Sequence, residues 1–242
     1  AGADPHTYEP SPADVNRLAK AKMLVLTGHM GFEEKLVNAA KQSNPGIAIV
    51  SISDGITMIR DEHHHDDKED THLADKEDHD DHEEGGVDPH IWVSLNESRI
   101  IAATIATALS RSFPERSGEF RTNLDTLLKT IEEKGRRFAA AVPAGTKFII
   151  YHPSMGYLAR QFKLEQMVIE LEGKEPGAGE ILAMAKKARS SSAAAIFIQQ
   201  EYPQRAMEII AKEAGIKPVT VDFLAEDWQG MMDSIIGALS KQ

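Results

Sequence analysis

Two parallel-sheet α/β lobes joined by one long helix is the architecture this sequence predicts. Three observations lead there. Short apolar runs alternate with helical stretches in both halves of the chain, the rhythm of parallel strands with helices packed on them. A long helical pattern lies between those halves, over 114–141. The 242 residues, 41% hydrophobic and 27% charged, suffice for two small cores. The expected organisation is an N-terminal lobe over 1–113 with a mobile loop at 61–85, a linking helix over 114–141, and a C-terminal lobe over 142–242.

The elements follow in order. Ser11-Pro12 starts a helix reaching about Ala21, since proline suits a first helical turn. Met23–Leu26 reads as a buried strand and Ile47–Ile52, after Pro45-Gly46, as a second strand, flanking a helix over Phe32–Lys41. Asn96 is expected to cap a helix to about Phe113, with Ile100, Ile101, Ile105 and Leu109 at helical spacing. After Pro114 comes a helix to about Ala141, its apolar stripe made by Phe120, Leu124, Leu127, Leu128, Ile131 and Phe138. Strands are expected at Lys147–Tyr151, Gln166–Glu170, Ala194–Ile198 and Pro218–Asp222. They alternate with helices at Gly156–Phe162, Gly179–Ser190, Pro203–Ala214 and Asp227–Leu239. The first half offers fewer strands, so its lobe reads as lacking its front. The opening residues, with no charged n-region and no apolar h-region, carry no signal peptide and read as mid-domain material.

Composition excludes several classes. No apolar run approaches the roughly 20 residues that span a bilayer. Without cysteine there is no disulfide framework, thiolate zinc finger or iron–sulfur cluster. The net charge of −11 is confined to residues 61–84, where 13 acidic residues face 2 lysines. The rest of the chain balances, so the basic footprint of a nucleic-acid binder is missing. The same window holds His63, His64, His65, His72, His79 and His82, and its apolar content is too low to order it. A low-affinity, exchangeable metal-capturing loop is the reading of that composition.

Three other histidines lie where elements begin or end: His6 in Asp4-Pro5-His6, His90 in Asp88-Pro89-His90, and His152 in Tyr151-His152-Pro153. The proline stiffens the backbone that delivers each imidazole, and the aspartate of each Asp-Pro-His is placed to orient the ring. His152 and Asp222 follow strands, and ligands of open α/β sheets collect at strand carboxyl ends. Three imidazoles and one carboxylate suit Zn²⁺, whereas Mn²⁺ favours more oxygen donors. Ligands scattered at 6, 90, 152 and 222 exclude a local zinc finger and put the site where two lobes meet. His29 reads as a solvated or core histidine, Glu170, Glu172 and Glu175 as a solvent-facing loop, and Trp228 as packing at a helix start. A zinc hydrolase is the rival class. It requires an open coordination position and a base beside the bound water, and no His-Glu-x-x-His motif occurs.

Five segments, in order, resemble ZnuA-like proteins: Gly2–Pro12, Asp88–Ser94, Tyr151–Tyr157, Gly173–Pro176 and Val221–Asp227. These are the zinc-specific solute-binding proteins of bacterial ABC importers, related to a manganese-binding group. The resemblance spans nearly the whole chain. It implies two (βα)-type lobes joined by a long helix, with the metal in the cleft and His6, His90, His152 and Asp222 as ligands. Histidine at 152 and the acidic histidine loop resemble the zinc branch. The family usually has a strand, a helix and a strand before the Gly-Ala-Asp-Pro-His segment, and this sequence does not show them. The implied function is high-affinity zinc capture in the periplasm or at the cell surface by a monomer, free or lipid-anchored, and delivery to an ABC permease. The alternative within the family is manganese or iron binding.

Overall fold

Met23–Leu26 (β1) and Ala48–Ser51 (β2) pair in parallel, Met23 against Ala48 and Leu26 against Ser51. The structure is a computed structural model and describes residues 5–60, 86–169, 177–200, 202 and 204–240. Helices Pro12–Leu18 (α1) and Glu33–Ser43 (α2) accompany this pair, and Leu18, Ala40 and Ile47 form a small core with Leu24 and Leu36 packed against it. Helix α1 starts with a capping box. The Asp14 amide donates to Ser11 Oγ, and the Ser11 amide donates to the Asp14 carboxylate, which satisfies two otherwise orphaned donors.

Helix Leu95–Ser112 (α3) is capped by Ser94, not by Asn96. Ser94 has an extended backbone and its hydroxyl accepts from the Glu97 amide. The spacing Ser94-x-x-Glu97 is the capping signal, and Asn96 instead accepts from Gln161 on a neighbouring helix. A 3-10 turn at Pro114–Arg116 leads into Ser117–Ala141 (α4), whose 25 residues extend about 38 Å. Helix α4 packs along α3 and against Trp228–Leu239 (α8). Its buried Lys134 pairs with Asp233 of α8 at 2.8 Å, and Arg137 reaches the same carboxylate at 2.9 Å.

The second sheet is wholly parallel, ordered β4-β3-β5-β6. Its strands are Lys147–Ile150 (β3), Glu165–Val168 (β4), Ala195–Gln199 (β5) and Pro218–Val221 (β6), separated by Gly156–Phe162 (α5), Ala178–Ser191 (α6) and Gln204–Ala214 (α7). Side chains alternate between two cores, as strand geometry requires. Phe148, Ile150 and Phe197 face α4 and α8 with Phe138, Ile131 and Ile235. Ile149, Ile196 and Ile198 face α6 and α7 with Ala188, Met207 and Ile210. Helices on both faces explain why the central strands β3 and β5 read as apolar runs. The chain winds from β3 to β4 on one side and returns to β5 on the other. The crevice at the carboxyl ends of β3 and β5 is therefore a topological switch point, the usual ligand position of such sheets. Among the described residues no helix is long and apolar enough to cross a membrane.

Candidate metal centre

His152 stands at that switch point, two residues beyond β3. The loop is held by Gln199, the last residue of β5, which is only 3% exposed. Its Oε1 accepts from the His152 amide at 2.8 Å, and its Nε2 donates to Ser154 Oγ at 2.9 Å. One buried amide thus ties the ends of two adjacent strands and sets the backbone beneath the imidazole. Tyr202 stacks on the His152 ring with centroids 5.0 Å apart and planes 24° apart.

His90 is buried just before α3. Its segment returns to the body through the antiparallel bridge between Arg60 and Val87 and the bond from the Asp88 amide to Ile59 O. The Asp-Pro-His turn folds back on itself. The Asp88 carboxylate accepts from the His90 amide at 2.9 Å and lies 2.7 Å from His90 Nδ1. A carboxylate only accepts, so Nδ1 carries the proton and Nε2 presents its lone pair. Tyr157 of α5 braces the turn, donating to Asp88 O at 2.6 Å and accepting from the Ile59 amide. Burial pushes the Tyr157 hydroxyl up to about 12, so it remains a donor.

His6 is carried by the segment before α1. Tyr8 anchors it by donating to Asp14 Oδ2 at 2.7 Å and by an edge-on contact with Phe32 at 5.0 Å. Glu9 pairs with Lys35 of α2 at 2.8 Å. Hydrogen bonds from Ser11 and Tyr8 hold the Asp14 carboxyl down at about 2, so it stays an acceptor.

The three imidazoles converge. His6 Nε2 lies 3.2 Å from His90 Nε2 and 3.1 Å from His152 Nε2. Each of the three offers a nitrogen within 4.8 Å of the others. Two Zn–N bonds of about 2.0–2.1 Å at a tetrahedral angle place their nitrogens about 3.3 Å apart, so the spacing matches the edge of a zinc tetrahedron. Asp222 lies outside this 4.8 Å group. It follows β6, is partly buried, and its Oδ1 accepts from the Leu224 amide at 2.9 Å. His29 is exposed and also outside the group. Asp4, the six histidines between 63 and 82, and Glu170, Glu172 and Glu175 lie outside the described residues.

Sequence reasoning missed Gln199, Tyr202 and Tyr157. For Gln199 a signal existed, since a polar side chain ends the otherwise apolar run Ala195–Ile198 at the edge where ligands gather. Tyr202 and Tyr157 act through contacts made across the fold, and no local pattern announces them.

Comparison with known proteins fits this geometry. The zinc-binding protein AdcA of Streptococcus pyogenes serotype M3 is 26% identical over 227 residues, covering 90% of this chain and 43% of that protein. The chain thus spans less than half the length of that relative. A metal ABC transporter substrate-binding lipoprotein of Lactococcus lactis subsp. lactis is 26% identical over 89% of this chain and 67% of its own length. The crystal structure of ZnuA superposes with a TM-score of 0.80 at 29% identity, covering 99% of this chain and 87% of that one. The family model described as ZnuA, zinc-uptake complex component A periplasmic, matches residues 1–242. The chain belongs to the ZnuA family.

Proposed function

We propose that this protein captures Zn²⁺ outside the cytoplasmic membrane and delivers it to the permease of an ABC importer. The convergence of three Nε2 atoms from residues 6, 90 and 152 carries the reading. Three imidazole nitrogens from distant parts of the chain converge at the spacing a shared cation would set, and neutral imidazole is a natural zinc ligand. His6, His90 and His152 supply three nitrogens, and Asp222 supplies the fourth ligand from the β6–α8 loop. Four protein ligands close the coordination sphere, which suits capture rather than hydrolysis. Zinc is therefore cargo. The relatives named as zinc-binding and as ABC transporter substrate-binding lipoproteins support the same assignment.

In this reading the chain divides into lobes over 1–113 and 142–242 with 114–141 between them, and one copy suffices because every ligand comes from one chain. Residues 61–85, with His63, His64, His65, His72, His79 and His82 among acidic residues, act as a low-affinity store.

Calorimetric titration of the metal-free protein tests the assignment. One tight zinc site is expected, lost in His90→Ala and His152→Ala. Unaltered zinc binding in both variants contradicts it. A competing titration with Mn²⁺ must leave zinc bound. Deleting 61–84 must remove weak sites and keep the tight one, and unchanged stoichiometry refutes the storage role.

A further inference from the structure

The chain has two tryptophans, and each donates its indole N–H to the segment that carries the other. Trp92 Nε1 donates to Phe223 O at 2.8 Å, and Trp228 Nε1 donates to Trp92 O at 2.9 Å. The two bonds run in opposite directions across one gap. On one side lies the segment bearing His90, two residues before Trp92. On the other lies the loop bearing Asp222, directly before Phe223.

Several features make this a device for position rather than packing alone. Both indoles pack against the main core, so neither donor is free to swing. An indole has one donor and no acceptor, so each bond fixes a direction as well as a distance. Phe223, whose carbonyl is engaged, is 4% exposed and pins its end of the loop. The Trp92 carbonyl also accepts from Ser98 Oγ at 3.3 Å, which ties it to the first turns of α3. The Trp92 ring lies 5.5 Å from the His90 ring. The same residue thus touches one proposed ligand and is bonded beside another.

We propose that Trp92 and Trp228 form a reciprocal clasp that sets how close the Asp222 carboxylate stands to the three-imidazole cluster. They are positioning residues for the fourth metal ligand. The inference rests on the reading that Asp222 completes the zinc site. Phenylalanine at either position retains an aromatic ring and removes only the donor. The loop then loses one of its two ties to the His90 segment, and the carboxylate loses its preset approach.

The experiment is a double-mutant cycle on the full chain with Trp228→Phe, Asp222→Ala and the combination. Zinc affinity is read by competition with a chromophoric chelator, and the visible absorption of the Co²⁺-loaded protein reports the ligand field. Loss of one such hydrogen bond predicts about tenfold weaker zinc binding in Trp228→Phe, with a Co²⁺ spectrum shifted toward that of Asp222→Ala. The double variant must bind no more weakly than Asp222→Ala alone, because the clasp acts only through that carboxylate. Additive losses, or wild-type affinity in Trp228→Phe, overturn the clasp while leaving Asp222 as a ligand. Wild-type affinity in Asp222→Ala instead removes Asp222 from the site, and the clasp with it. Trp92→Phe breaks the opposite bond and must reproduce the result, which provides the test if Trp228→Phe does not fold.

Discussion

Asp88 does more for the site than its position outside the ligand set suggests. It accepts from both the amide and Nδ1 of His90, which fixes the tautomer and the ring plane at once. Asp88→Ala is predicted to weaken zinc binding about 10- to 100-fold while leaving three imidazoles in place, as measured by chelator competition. His152 is the proposed ligand whose donor type bears on the metal class. Replacing it with glutamate exchanges a nitrogen donor for a harder oxygen, so His152→Glu must narrow the preference for Zn²⁺ over Mn²⁺ in a two-metal titration. Asp14 supports His6 from further away. Its folded-state carboxyl sits at about 2, below the ordinary 3.8. A depressed carboxylate contributes stability that is present above the unfolded value and lost as pH falls through the folded one. The stability gap between the parent and Asp14→Asn must therefore be widest above about pH 4 and shrink toward pH 2 in denaturant titrations.

At the level of elements, Gly156 opens α5 directly beneath Asp88. A Cβ there lies 2.7 Å from Asp88 Oδ2, and that carboxylate is pinned by His90. Gly156→Ala must displace the turn, lowering both the melting temperature and zinc affinity, as read by thermal unfolding with and without metal. The same elements show what the sequence can disclose. Strands β3 and β5 were legible because each is an apolar run in the buried centre of the sheet. The edge strands β4 and β6 carry exposed residues and were legible from the strand–helix alternation, and β1 was legible to its exact ends. The cap of α3 lies two residues before Asn96, because Ser94-x-x-Glu97 has the capping spacing. His6, His90 and His152 were legible because each follows or precedes a proline at an element's edge. The partners that hold them were not. Gln199 lies 47 residues from His152, and Tyr157 lies 69 from Asp88. Such contacts arise from topology, which periodicity does not encode.

Taken whole, the molecule separates scaffold from site. A parallel sheet with helices on both faces supplies a switch point, α4 packs against both α3 and α8, and the proposed ligands come from four loops distant in sequence. Because only neutral imidazole ligates, acidification must weaken zinc binding by proton competition. The chain carries its net charge of −11 in residues 61–84, so deleting them tests storage without altering the charge balance of the rest. The most direct test is diffraction from zinc-loaded crystals at the zinc absorption edge. The account predicts one strong anomalous peak about 2.0–2.1 Å from Nε2 of His6, His90 and His152, with an Asp222 oxygen as the fourth ligand. A peak that lacks either His90 or His152 as a ligand contradicts it.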